Sequence, residues 1–276
     1  MTRTRTKPLI GLVLAAALVA AACGYGQGAG GARVPSGSGP GTARLTVLAA
    51  ASLTDALAAA TRSYQETHPG VSFTVATGAS SALRVQVEQG APADVFLSAD
   101  TRNAEALVHG RLSIGPAVPF AGNVLAIVVP GANPARIGSP LDLARPGVRV
   151  VAAGSQVPIT EYANRLVANL ARLPGYPADF AARYAANVVS REDDVRSVLT
   201  EVELDEADAG IVYVTDALAA AQVRVIPVPA SADVTATYDG VVVRGSPNAA
   251  AAAAFLAWLA GPPGQAILAR FGFRSP

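Results

Sequence analysis

The chain has 276 residues, 51% of them hydrophobic and 15% charged, with a formal net charge of +1. That length suits one large domain or two lobes of ordinary size. The near-neutral balance offers no long-range field for nucleic acid or an anionic membrane surface, and with no basic stripe or recognition module, no nucleic-acid partner is expected.

Arg3, Arg5 and Lys7 precede an uncharged apolar run over residues 9–22. Residues 1–22 therefore read as a secretory signal peptide; the run falls short of the roughly 20 apolar residues a spanning helix needs. It ends Ala20-Ala21-Ala22-Cys23-Gly24, and Cys23 is the one cysteine in the chain, so it has no disulfide partner. Small residues followed by Cys resemble a bacterial lipobox, whose cysteine is acylated and becomes the mature N-terminus. The resemblance implies export and a lipid anchor at Cys23 on the outer face of the cell membrane. Residues 24–42 are mostly Gly, Ser, Pro and Ala, so 23–42 is expected to be a lipidated cysteine followed by a flexible tether.

The remainder alternates. Strands are expected at 45–49, 71–76 and 94–98, interleaved with helices at 52–65, 80–89 and 101–109. An apolar strand at 123–129 opens a second series, with strands at 148–152, 210–214 and 223–228 and helices at 161–173, 177–186, 193–204 and 216–221. A strand at 240–244 leads to a helix opening Ser246-Pro247, with Ser as N-cap and Pro at the first helical position. The last helix is expected over 262–270. Alternation of this kind predicts an α/β fold with a parallel sheet and helices on both faces. Ligands of such sheets sit beyond the carboxyl ends of the strands, near helix N-termini.

The chemistry-bearing residues argue against catalysis. His68 lies in a His-Pro-Gly turn and His109 at a helix end, without metal-ligand spacing. There is no Walker loop, no G-x-G-x-x-G after a strand and no nucleophile elbow; Gly78-Ala79-Ser80-Ser81-Ala82 is only a distant cousin of the last. No catalytic residue, cofactor or bare metal cation is expected. What remains is a pair of strand-to-helix turns, Ala49 to Asp55 and Thr77 to Ser81. Ser52 reads as an N-cap with Asp55 completing a capping box, and Ser80 or Ser81 caps the second helix. Each turn offers free N–H groups and a hydroxyl, the equipment of an anion cradle. The plainer alternative is that both serines simply cap their helices.

Taken together, the motifs are more specific. Val47-Leu48-Ala49-Ala50-Ala51-Ser52-Leu53-Thr54-Asp55 resembles the opening signature of periplasmic molybdate-binding proteins. Gln89-Gly90-Ala91-Pro92-Ala93-Asp94-Val95-Phe96-Leu97-Ser98-Ala99-Asp100 is similar to their second signature. Gly122-Asn123, Val157-Pro158, Glu192 to Arg196, Gly210 to Tyr213 and Arg270 to Phe273 follow in the family's order. The resemblance implies a two-lobe periplasmic-binding-protein-like fold with the ligand between the lobes. Lobe one would be 43–122 plus 232–276 and lobe two 123–231, joined by a hinge of two chain crossings that closes on the ligand.

It also implies ligands: Ser52 and Ser80 through hydroxyl and N–H, Ile159 and Val195 through N–H, and Tyr213 through its hydroxyl, with Thr160 as the alternative to Ile159. The cargo would be molybdate or tungstate, passed to an ABC permease and its ATPase by a monomeric, non-enzymatic binding protein. A donor-only site suits a dianion that has no proton and disfavours phosphate, whose remaining proton needs an acceptor. Sulfate, also a tetrahedral dianion, is the alternative ligand; a ferric site, a serine hydrolase built on Ser80 and an adhesion or scaffold role are remote ones.

Overall fold

A computed structural model describes residues 42–276 of the chain. The signal peptide, Cys23 and the tether up to residue 41 lie outside the described residues. The first series runs β1 (Ala43–Ala50), α1 (Thr54–Thr67), β2 (Val71–Gly78), α2 (Ser80–Glu88), β3 (Val95–Ser98) and α3 (Thr101–His109). The long β4 (Ser113–Pro130) leads into β5 (Val150–Ala153), α4 (Pro158–Leu170), α5 (Phe180–Ala186), β6 (Val188–Glu192), α6 (Val195–Glu203), β7 (Ala209–Tyr213), α7 (Val214–Ala219) and β8 (Val223–Ile226). The chain closes with β9 (Thr235–Val243), α8 (Ala249–Ala260) and α9 (Pro262–Arg270).

The α/β class follows from this alternation, but the sheet is mixed rather than parallel. β1 pairs parallel with β2 and β3, and β5 with β6 and β7. β9 runs antiparallel to β3 and to β4, and β4 antiparallel to β7 and β8. The strand order is β2-β1-β3-β9-β4-β7-β5-β6, with β8 on β4. β4 organises the whole: Ser113 to Val124 pair with β9, and Leu125 to Pro130 with β7 and β8. Asn123 therefore sits where one strand passes from the first half of the sheet to the second. β4 starts ten residues before the expected strand because Gly115, Pro116 and Pro119 obscure its pattern; the ladder takes them up as two register shifts.

Two further local expectations are corrected. β6 was missed by the sequence reading, since Val188, Ser190 and Glu192 are only half-buried and Val189 and Arg191 are exposed, so an edge strand carries little apolar signal. The helix expected to open at Ser246-Pro247 begins instead at Ala249. The Ser246 hydroxyl accepts from Asn248 N–H at 3.0 Å and donates to Asp94.

That aspartate explains part of the second signature. Asp94 is buried, accepts from Thr46 N–H at 2.6 Å and donates its own N–H to Thr46 O at 2.8 Å, tying β3 to β1. At the C-terminus, Gly122 and Arg274 exchange backbone hydrogen bonds of 2.7 and 2.8 Å. These seat Phe273 against the Tyr238 ring at 5.4 Å. Gly240 lets β9 pass beneath α8, for a Cβ there would lie 2.6 Å from Leu256 Cδ1.

Candidate functional site

The carboxyl ends of β1, β2 and β7, the turn after β3 and the N-termini of α2, α4 and α6 meet around a cavity of about 10 Å3, about the space of one water. Ser52, Ser80, Ile159, Val195 and Tyr213 all line it. Thr160 does not: its hydroxyl donates to Ala153 O at 3.0 Å and Gly154 O at 2.8 Å, and its N–H to Val157 O at 3.0 Å. A larger cavity, about 240 Å3, opens between α4 and α5. Its walls are mostly alanine and aliphatic, with Thr160, Asn164, Tyr184 and Arg191 as the polar residues.

Neither serine caps its helix. Ser52 lies in a single 3-10 turn ahead of α1, whose N-cap is Leu53, and its hydroxyl lies 2.8 Å from Tyr238 Oη. Asp55, expected to complete a capping box, pairs with Arg196 at 2.6 Å instead. Ser80 is the first residue of α2 behind the N-cap Ala79, and its hydroxyl accepts from Ala99 N–H at 3.0 Å. The reading in which both serines serve only their own helices is therefore corrected: a tertiary partner holds each one. Ala99 comes from the second signature, and Asp100 beside it caps α3 by accepting from Asn103 N–H at 2.9 Å. That motif serves the cavity by holding Ser80.

The opposite wall is built from helix starts. Pro158 has no N–H and Val157 makes no side-chain cap, so Ile159 presents the first free N–H of α4. In α6 the Asp194 carboxylate accepts from Arg196 N–H at 2.8 Å and Ser197 N–H at 3.0 Å. The N–H of Val195, at the first helical position, is left over. Asp194 also lines the cavity, but its Oδ1 is committed to those two donors. Tyr213 is fully buried and its hydroxyl has no hydrogen-bond partner among the described residues. Burial raises it well above the ordinary tyrosine range, so it stays a neutral O–H.

Sequence reasoning missed the layer beneath. Tyr238 and Asn123 are fully buried, and Asn123 Nδ2 donates to Thr215 Oγ1 at 2.9 Å and Tyr238 Oη at 3.4 Å. An amide inside the apolar run 120–129 was a visible signal; Tyr238 gave none. Asp216 is buried with its Oδ1 2.9 Å from Arg196 Nε, although that N–H does not point at the oxygen, and Oδ2 accepts from Tyr213 N–H at 3.3 Å. Burial pushes its carboxyl up to about 7, against the pull of Arg196 and of the Tyr213 N–H. At the mouth Arg102 of α3 pairs with Glu161 of α4 at 3.1 Å, and Asp55 with Arg196 spans α1 and α6. Among the described residues no group of His, Cys, Asp and Glu is placed to hold a metal ion.

Residues 45–274 match the family model of the bacterial extracellular solute-binding protein. The chain is 35% identical over 269 residues, 97% of either chain, to the molybdate-binding protein ModA of Mycobacterium tuberculosis. It is 28% identical to the putative ABC transporter substrate-binding lipoprotein YvgL of Bacillus subtilis, covering 83% of this chain and 85% of that one. Among solved structures it is similar to the sulfate-binding protein SubI from M. tuberculosis, with a TM-score of 0.74, 24% identity and coverage of 84% and 87%. At that identity the likeness is one of fold.

Proposed function

The chain belongs to the bacterial extracellular solute-binding protein family, and on that premise we propose that it captures molybdate or tungstate outside the cytoplasm and hands it to an ABC permease and its ATPase. The observation that carries the reading is the polarity of the cavity. Ser80 Oγ already accepts from Ala99 N–H, so its proton is free for a ligand. Tyr213 O–H has no other acceptor among the described residues. Ile159 and Val195 offer N–H groups at helix N-termini, where the partial positive field favours an anion. Such a set holds a tetrahedral dianion without a countercharge, and each hydrogen bond to a charged group contributes roughly 1.5–3 kcal/mol. The ligand reading is supported further by the 35% identity to the M. tuberculosis molybdate-binding protein.

The finer assignments belong to the same reading. Ser52, Ser80, Ile159, Val195 and Tyr213 are the ligand residues, and the protein binds without turning its ligand over. Lobe one is 43–122 with 232–276 and lobe two 123–231; the two ion pairs across the mouth are the contacts closure would make. Lipidation of Cys23 would hold a monomer at the outer face of the membrane, an arrangement supported by the likeness to a lipoprotein.

Sulfate fits the same donors, and only cavity size separates it from molybdate. Calorimetric titration of the purified protein with molybdate, tungstate, sulfate and phosphate tests the reading. Expected is micromolar or tighter binding of molybdate and tungstate with weaker sulfate; heat with sulfate and none with molybdate would overturn the molybdate assignment.

A further inference from the structure

We propose that Asn123 and Tyr238 are positioning residues that lock the Ser52 hydroxyl as a donor toward the ligand and so make the site select oxyanions that carry no proton. The inference rests on the oxyanion reading above and adds to it two residues that touch no ligand.

Val124 N–H lies 2.9 Å from the side-chain amide of Asn123. A backbone N–H only donates, so the atom facing it is Oδ1 and the other is Nδ2. Both Nδ2 protons then point away from Val124, one to Thr215 Oγ1 at 2.9 Å and one to Tyr238 Oη at 3.4 Å. Tyr238 is fully buried, so its own proton needs an acceptor. Asn123 Nδ2 cannot accept, and among the described residues the one acceptor in reach is Ser52 Oγ at 2.8 Å. The Tyr238 proton therefore goes to Ser52. Were Ser52 to donate to Tyr238 instead, a buried phenolic proton would be left unpaired. Burial also raises Tyr238 far above the ordinary tyrosine range, so the proton is retained.

Ser52 Oγ is thus engaged from behind by a donor, and its single proton is left for the cavity that it lines. Ser80 is set the same way by Ala99 N–H. Both serine oxygens thus receive a proton from the protein and turn their own toward the cavity. A hydrogen phosphate whose own proton faces either serine would meet a donor there. Molybdate, tungstate and sulfate have no such proton and are indifferent to this lock.

Tyr238→Phe removes one oxygen and keeps the ring packed against Phe120, Tyr213 and Phe273, whose centroids lie 6.2, 5.7 and 5.4 Å away. It also leaves Ser52 with no acceptor behind it among the described residues, so the Ser52 proton still faces the cavity and the molybdate-to-phosphate ratio should stay within about threefold. Asn123→Asp instead offers Tyr238 an acceptor and turns the chain of protons around: Ser52 then donates to Tyr238 Oη and its oxygen can accept from the ligand. In that variant the molybdate-to-phosphate affinity ratio is expected to fall about tenfold, the value of one hydrogen bond. The molybdate-to-sulfate ratio should stay within about twofold in both, since neither ion carries a proton. A change in cavity shape alone would move the sulfate ratio as well. Equal losses for molybdate, sulfate and phosphate in Asn123→Asp, a tenfold fall of the phosphate ratio in Tyr238→Phe, or a sulfate ratio that moves with the phosphate ratio, would overturn the proposal, as would wild-type protein that binds phosphate as tightly as molybdate. Wild-type protein that binds none of these anions would overturn the oxyanion reading itself.

Discussion

The two walls of the cavity solve one problem with different materials. On the β1–α2 side the donors are side-chain hydroxyls, Ser52 and Ser80, each held by a partner distant in sequence, Tyr238 and Ala99. On the α4–α6 side they are main-chain N–H groups left over at helix starts, with Tyr213 between them. The first wall can be erased by deleting two oxygen atoms. The second is a property of backbone direction and resists point substitution. The contrast separates what side-chain chemistry contributes from what the fold contributes.

The double substitution Ser52→Ala with Ser80→Ala strikes the first wall and should have the largest effect. Two hydrogen bonds to a charged ligand at roughly 1.5–3 kcal/mol each correspond to about a hundred- to ten-thousandfold loss of molybdate affinity. Titration checks it; the melting temperature of unliganded protein should fall as well, because the buried Tyr238 O–H and Ala99 N–H lose their acceptors. A loss smaller than about tenfold would mean that the helix starts carry the binding almost alone.

The second wall is probed next through Asp216, which underlies Tyr213. Its carboxyl holds its proton up to about 7 in the folded protein against 3.8 ordinarily. The folded state thus binds the proton more tightly than the unfolded chain. Asp216 therefore favours folding below pH 4, and that contribution is lost as pH rises from about 4 to about 7. Asp216→Asn should flatten this decline, by a few kcal/mol at most given about 1.4 kcal/mol per tenfold in proton affinity. Denaturant melts between pH 4 and 8 read it out; identical pH profiles in the two proteins would contradict it.

Tyr213→Phe deletes the one hydroxyl of the second wall. Because that O–H is buried without a partner among the described residues, its removal should raise the stability of unliganded protein by about 1 kcal/mol. Molybdate affinity should fall by about tenfold. Thermal melts with and without molybdate separate the two effects. Arg102→Ala should do least. The Arg102–Glu161 pair joins the walls at the mouth, but both side chains are more than half exposed. An exposed pair contributes about 0–1 kcal/mol and is screened by salt, so affinity should drop no more than about fivefold and the difference should vanish at high ionic strength.

Legibility in the sequence followed the same division. The serine turns and the apolar strands were readable because composition and short motifs are local. The mixed sheet was not, for the direction of β4 and β9 is decided by which half each strand joins. β6 hid because an exposed edge needs few apolar residues. Ile159 and Val195 came only from family resemblance: no side chain marks a helix-start position that offers a free N–H. Ser52 and Ser80 stood out in the sequence as caps, because the groups that hold them, Tyr238 Oη and Ala99 N–H, lie 186 and 19 residues away.

The central claim is that the donors of these two walls converge on one oxyanion. Crystals grown with molybdate and measured at a molybdenum absorption edge test it most directly. The account predicts a single strong anomalous peak enclosed by Ser52, Ser80, Ile159, Val195 and Tyr213, with oxygens on both serines and both helix starts. A peak in the alanine-lined cavity between α4 and α5, or none between the walls, would contradict it.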